Sequence, residues 1–473
     1  MSTTAPEQQK PAEEQTELKR AIGPKLLLLF IVGDILGTGV YALTGQVAGE
    51  VGGAAWLPFL IAFAVATITA FSYLELVTKY PQAAGAALYV HKAFGIHFVT
   101  FIVMFVVMSS GITSASAASV AFASNFGVAF GLTIPSTGTW AVSVVFMLLI
   151  LGVNLRGVAE GVGLNVVFTL IELSGLLLVI MLGSLAIFAG QADFSRVVLF
   201  EGPDDKSFFL AVSTATSLAF FAMVGFEDSV NMAEETKDPS RTFPRMLLTG
   251  LTITAIIYVL VSIIAVAVVP VGELAKSPTP LTTVVQTAAP DFPITVLLPF
   301  ISMFAVANSA LINMLMASRL IYGMARQRVL PPVLGAVLPR RRTPFAAIGF
   351  TTLLAIGLIS FLALDPRNPV VALLGGTTSL LLLSVFAVVN VVVLVLRRDR
   401  VDHRHFRAPT ALPLVGAVAC VYLVLPWTSG RDPEQYAIAG VLLVIGIVLW
   451  GVTVGINRTL RRGDRAGDLS DVG

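Results

Sequence analysis

Cysteine is almost absent from this chain. A single residue, Cys420, among 473 excludes any disulfide within the chain and any thiolate metal cluster, and its place inside an apolar run makes it a small buried packing residue. Charge is scarce as well: Asp, Glu, Lys and Arg make up 12% of the sequence, about half the roughly 25% of a soluble domain, which excludes an ordinary water-soluble fold. Only four histidines occur, His91, His97, His403 and His405, and none has metal-ligand spacing, so no metal site is expected. Neither G-x-x-x-x-G-K-[ST] nor G-x-S-x-G is found, which argues against an ATP-driven pump or a hydrolase. No enzymatic role and no cofactor are expected, and a net charge of +2 gives no sign of nucleic-acid binding.

What the chain has in abundance is apolar sequence. Hydrophobic residues make up 56% and the mean hydropathy is +0.88. Runs near the roughly 20 residues needed to cross hydrocarbon recur at Leu26–Val47, Ala54–Val77, Phe98–Phe122, Trp140–Leu155, Val162–Ala189, Phe208–Met232, Met246–Val269, Phe292–Ser318, Phe345–Leu364, Val370–Leu396, Ala411–Trp427 and Ala437–Val454. They predict an all-α membrane protein of twelve transmembrane helices. The polar residues 1–25 and 458–473 read as cytoplasmic tails without a cleavable signal pattern.

The basic residues test that count independently, because loops on the cytoplasmic side carry them. With both termini cytoplasmic, only Arg196, Lys206, Lys276, Arg367 and Arg431 fall on the far side, leaving 25 of the 30 Lys and Arg inside. One helix more or fewer would invert every later loop and scramble this asymmetry. The basic stretch Arg397–Arg407 most simply meets anionic lipid headgroups. Glu75 and Lys79, at the inner end of the second segment, read as interfacial residues that snorkel.

Two segments are interrupted. The first contains Gly33, Gly37, Gly39 and Gly45 and also Asp34; the sixth carries Glu227 and Asp228 directly after Gly225 and Phe226. An ionised carboxylate at the bilayer centre costs roughly 2.5 to 3.5 kcal/mol on insertion scales, so these acids require a wet or paired surrounding. Glycine-interrupted segments at corresponding positions of two halves mark a transporter binding site, because broken helices free backbone groups for a ligand. Segments 1 and 6 are five apart, as a five-plus-five inverted repeat over 26–190 and 207–397 requires, with 409–457 holding two further helices. Close helix packing also uses glycine, and either break alone fits that reading equally.

The runs GDILGTGVYALTG (Gly33–Gly45), YPQAAGAALYVHKAFG (Tyr80–Gly95), FFAMVGFEDSVNMAEETKDPSRTFPR (Phe220–Arg245) and RLIYGMARQRVLPP (Arg319–Pro332) together resemble the amino acid, polyamine and organocation permeases, closest to bacterial amino acid permeases and cationic amino acid transporter relatives. The resemblance spans nearly the whole chain after the first tail. It implies that Gly37, Thr38 and Gly39 present amides to a substrate carboxylate, and that carbonyls around Phe221, Ala222, Val224 and Gly225 receive its ammonium. Phe226 falls at a gating position. A back-bonded Thr38 and a lipid-facing Phe226 are the plain alternatives. Small residues at Met108–Ser119 and the amides of Asn308 and Asn313 are further lining candidates.

For coupling, the resemblance puts Glu227 at the acid that exchanges a proton in related antiporters, ahead of Asp34 and Asp228. Asp34 and Glu227 are expected to approach and share a proton if the breaks face each other. Glu172 departs from the family: several sodium-independent relatives carry lysine there, and a carboxyl in its place serves a proton, a cation or a neighbouring hydroxyl. Residues 233–245 read as a charged cytoplasmic loop that either caps a helix end or holds a gate. The expected protein is therefore a proton-coupled secondary transporter of an L-amino acid, multi-pass in the cytoplasmic membrane. Sodium-coupled or exchange-type transport of an amino acid or polyamine, an ion channel, and a transport-inactive amino acid sensor remain alternatives. No disulfide-linked partner subunit is expected, because no cysteine lies between segments 3 and 4.

Overall fold

The computed structural model describes residues 22–82, 85–156, 158–204, 206–290, 294–326, 329–339, 341, 343–365 and 368–467. Most of the expected first tail, Arg367 and the last residues of the second tail lie outside them. Among the described residues the chain is helical, with two isolated β-bridges and no strand. The long helices are α1 Pro24–Val51, α2 Trp56–Lys79, α3 His97–Ala129, α4 Ser136–Arg156, α5 Val158–Phe188, α6 Phe208–Ala219, α7 Pro239–Val268, α8 Ile294–Arg326, α9 Phe345–Leu362, α10 Val370–Leu396, α11 Ala411–Val424 and α12 Pro433–Gly467.

Among the described residues eleven helical stretches, including α6 with its continuation to Met232, are long and apolar enough to span a membrane, and α11 is a shorter apolar helix. The protein is a multi-pass membrane protein. Each boundary has a local cause. Extended backbone at Leu425 followed by Pro426 stops α11 ahead of its expected end, since the residue before proline avoids the helical region. At the other extreme α7 begins at Pro239, so much of the expected cytoplasmic loop is helix; Asp238 enters it with φ +44°, a left-handed value that Asp tolerates better than most residues. The backbone of α12 continues as helix through Gly467, past the expected start of the second tail.

Position in the bundle follows burial. Every residue of α1 from Phe30 to Gly45 is buried, as befits a helix with neighbours on all sides. It is surrounded by α5, α6, α7 and α8, while α3 packs most extensively on α8 and then α10. By contrast α4, α5 and α12 present Leu148, Leu149, Leu170, Leu177, Leu185, Val444 and Val448 outward, where lipid removes the cost that water would impose.

The end of the bundle near the first described residues is tied shut by backbone and charge. Ile22 donates to the Glu235 carbonyl and accepts from Lys237 N–H, both at 2.9 Å, so the chain start lies across the entry to α7. Glu75, 2% exposed, accepts two bonds from Arg397 at 2.8 and 2.7 Å and a third from the Ala408 amide at 2.9 Å. Lys79 donates to the carbonyls of Leu396 and Asp399. These two residues do not snorkel: the Arg397–Arg407 segment folds over them and supplies partners inside the protein. Arg397, paired this way, titrates above the usual guanidinium range because the adjacent Glu75 carboxylate favours its charged form.

Candidate functional site

Both expected breaks are present, and they touch. In α1 the helical path fails at Gly37 (φ −19°, ψ −136°). In the sixth segment α6 ends at Ala219; a 3-10 turn follows at Phe220–Met223, Val224 is extended, and a second 3-10 turn covers Asp228–Met232. Gly225 between them has φ +122°, a value essentially reserved for glycine. A side chain there would also meet the Asp34 carbonyl carbon and oxygen at 2.8 Å. Gly39 is equally constrained, because an added Cβ would fall against the Cα and, at 2.6 Å, the Cβ of Ala222. Glycine is therefore needed at both breaks for the two backbones to approach.

Between them lies a small cavity of about 20 Å³ lined by Asp34, Ile35, Thr38, Gly39, Phe221, Val224, Gly225 and Asp228 of the two breaks, with Ser114 of α3 and Ser309 and Asn313 of α8. That is room for about one water molecule. Gly37, Ala222 and Phe226 are placed beside it and not on its surface. Gly37 abuts the Ser309 hydroxyl, which also accepts the Thr38 amide at 3.1 Å. The Thr38 hydroxyl itself is buried and makes no hydrogen bond.

Phe226 packs in an aromatic cluster. Its ring is 5.8 Å from Tyr73 and 5.3 Å from Phe386, with Tyr89 and Phe220 joining the group. Beyond the cavity in the direction of the chain start, Tyr73, Glu227, Asp228, Asn231 and the helix Gly85–Phe94 border a second small cavity of about 20 Å³. Asp228 lines both cavities; Glu227 lines only the second. On the opposite face, clefts of about 630 and 320 Å³ share Gln46 and Pro369 and reach Leu218 and Ala42, a turn from the central cavity. Phe221, in the wall of the central cavity, has its ring against Gly375 of α10. All residues lining the central cavity are buried except Asp228 and Asn313, which are half-buried.

The four acids are arranged unequally. Glu227 is 6% exposed, and its Oε2 accepts the Gly225 amide at 2.9 Å, which holds the break open. Asp34 lies close enough to Asp228, Glu227 and Glu172 for like-charge interaction. Glu172 is fully buried on α5, and neither of its oxygens accepts a hydrogen bond. Around it the Asn308 amide donates to the Gly33 carbonyl and to Asn165 Oδ1, Thr169 donates to Asn165, and Tyr41 donates to the Glu172 carbonyl. Ser114 falls within the Met108–Ser119 run expected to line the site, whereas Ser309, Asn165 and Thr169 are additions that the residue pattern did not single out. Asn165, Thr169 and Glu172 recur at helical spacing, and that polar stripe was the available signal.

The matching of the chain to known proteins agrees with this arrangement of helices. Residues 22–452 match the family described as Amino acid permease. The chain belongs to that family. Among its relatives are the branched-chain amino acid permease BcaP of Bacillus subtilis, 26% identical over 87% of this chain and 89% of the relative, and the methylthioribose transporter of the same organism, 25% identical over 86% and 88%. Cationic amino acid transporter 9 of Arabidopsis thaliana, chloroplastic, is 26% identical over 70% of this chain and 60% of its own length. Membership in a permease family agrees with a non-enzymatic transporter. Among the described residues no group of three or more His, Cys, Asp or Glu is placed to hold a metal ion.

Proposed function

We propose that this permease carries an L-amino acid across the cytoplasmic membrane by alternating access, with both termini on the cytoplasmic side and a proton as the coupling ion. The observation that carries the reading is the small cavity bounded by the two helix breaks, with clefts on one side of it and a second small cavity on the other. In this scheme the Thr38–Gly39 end of α1 receives the substrate carboxylate, with Ser309 releasing or sharing the Thr38 amide. Carbonyls from Phe221 to Gly225 receive the ammonium. The halves 26–190 and 207–397 then rock about the site as inverted repeats, Phe221 opening to the far-side clefts and the Phe226 cluster opening to the cytoplasm. The names of the relatives include amino acid carriers, which supports the substrate class, and a methylthioribose carrier, which does not.

Coupling follows from the acids. A buried carboxyl that is desolvated in one facing state and wetted in the other changes protonation with the cycle and so ties the two movements together. Glu227 is the first candidate, since it braces the break and borders the cytoplasmic cavity, with Asp34 and Asp228 behind it. The unpartnered carboxyl of Glu172 supports a second bound proton or a cation at the α1–α5–α8 junction.

Reconstitution into proteoliposomes tests the proposal. Labelled amino acid should show saturable counterflow and should accumulate when the lumen is made alkaline relative to the bath. Uptake driven by sodium at uniform pH would transfer the coupling to sodium, and linear, non-saturable flux would indicate a channel. Binding without any uptake would make the protein a sensor.

A further inference from the structure

Charge in the central cavity narrows the ligand class beyond what the two breaks specify, and the argument rests on the amino-acid reading above. Two of the lining residues, Asp34 and Asp228, are acids. No Lys, Arg or His lines the cavity among the described residues. Toward the two faces of the bundle, buried Glu75 is paired with Arg397 at 2.7 Å and half-buried Glu50 with Lys206 at 2.7 Å. No such pairing occurs among the residues lining the cavity. Asp34 is 6% exposed and its Oδ2 accepts no hydrogen bond, while the Thr38 hydroxyl in the same wall is 2% exposed and also unmatched. Buried polar atoms are normally matched, so these groups are set out for something that enters.

A zwitterion is a poor match for such a wall. Its ammonium can offset one carboxylate, but its own carboxylate adds a negative charge, and the cavity with its ligand keeps the full excess. A ligand with one further cationic group reduces it, and like charges held at close range make that reduction favourable. The layout gives the second group a place. Thr38, Gly39 and Phe221 line the central cavity alone, whereas Asp228 also borders the second cavity, with Ser114 and Asn313 among the other lining residues.

We propose that the central cavity selects an amino acid with a cationic side chain, whose amine or guanidinium is received by Asp228 while Asp34 and the carbonyls of the sixth-segment break take the α-ammonium. Asp228 is then a specificity residue distinct from Glu227, which braces the break and does not line this cavity.

The test uses the full chain in proteoliposomes and displacement of labelled L-lysine by L-arginine, L-leucine and spermidine. Arginine should displace lysine at concentrations at least roughly tenfold below leucine, and Asp228→Asn should weaken lysine by at least roughly tenfold, as truncating one side of a desolvated charge pair does, with leucine unchanged. Asp228→Glu should retain part of the lysine affinity. Leucine competing as well as arginine, or Asp228→Asn weakening lysine and leucine alike, overturns the side-chain assignment and leaves amino acid transport intact. Stronger displacement by spermidine overturns the need for a carboxylate. If no amino acid binds the parent protein in either assay, the proposed function falls together with this inference. Unfolding temperature measured on each variant separates lost recognition from lost fold.

Discussion

Replacing Gly39 by alanine adds one methyl group where the two broken helices meet. The new Cβ would fall against the Cα of Ala222, 2.6 Å from its Cβ and 2.9 Å from its amide nitrogen. These are backbone atoms and a side chain with no rotamer to change, so relief requires the helices themselves to part. Overpacking of this kind costs about 1–3 kcal/mol. If that cost falls on the closed arrangement alone, its population relative to an opened one drops by roughly 5- to 140-fold, at 1.4 kcal/mol per factor of ten, and substrate affinity drops with it. Gly349→Ala and Gly357→Ala in α9 are the matched controls, because an added Cβ there meets nothing within 4 Å; they should be neutral or stabilising by up to about 1 kcal/mol. Equilibrium binding and thermal unfolding in detergent read both effects. Parent-like affinity in Gly39→Ala, with the controls also unchanged, would refute the claim that these two backbones must touch to form the site.

Other outcomes follow from the same contacts. Glu75→Ala leaves the Arg397 guanidinium, whose side chain is 12% exposed, without its carboxylate, and should destabilise by about 3–5 kcal/mol, visible as a lowered unfolding temperature partly restored by Glu75→Ala with Arg397→Leu. Phe226→Ala should cost about 3–5 kcal/mol and open the cavity beside Asn231 toward the Ile22 end of the bundle, measured as faster thiol labelling of a cysteine placed at Asn231. Glu227→Gln should abolish the pH dependence of uptake while binding persists; an unchanged pH profile would move the proton to Asp34, Asp228 or Glu172. Thr38→Phe should eliminate binding by filling the cavity.

Much of this structure was legible in the residues because lipid imposes simple rules. Apolar runs and the asymmetry of Lys and Arg gave twelve segments, and each has a helical counterpart. The glycines of segments 1 and 6 located the breaks, since conformations such as that of Gly225 and approaches such as that of Gly39 admit few other residues. What composition hid was contact between distant segments. Glu75 looked interfacial because its partner Arg397 is more than 300 positions away, in a stretch whose basic residues suggested lipid headgroups. Ser309 and Asn165 went unnoticed because a hydroxyl or amide in an apolar helix satisfies its own backbone as readily as a neighbour. That Glu227 and Asp228 face different ways was legible, since adjacent residues of a helix point about 100° apart, but which cavity each borders was not, because the hydrophobic pattern runs through the break as if it were helix.

The central claim is that a substrate occupies the cavity between the two breaks. Cys420 is buried and is the only cysteine, so a Cys420→Ser background carrying Ser114→Cys places a single thiol on the cavity wall. Alkylation of that thiol in proteoliposomes should slow in proportion to occupancy when transported amino acid is added, with half-protection at the concentration that half-saturates uptake. Labelling that proceeds at the same rate at saturating substrate, in a variant that still transports, would contradict the account.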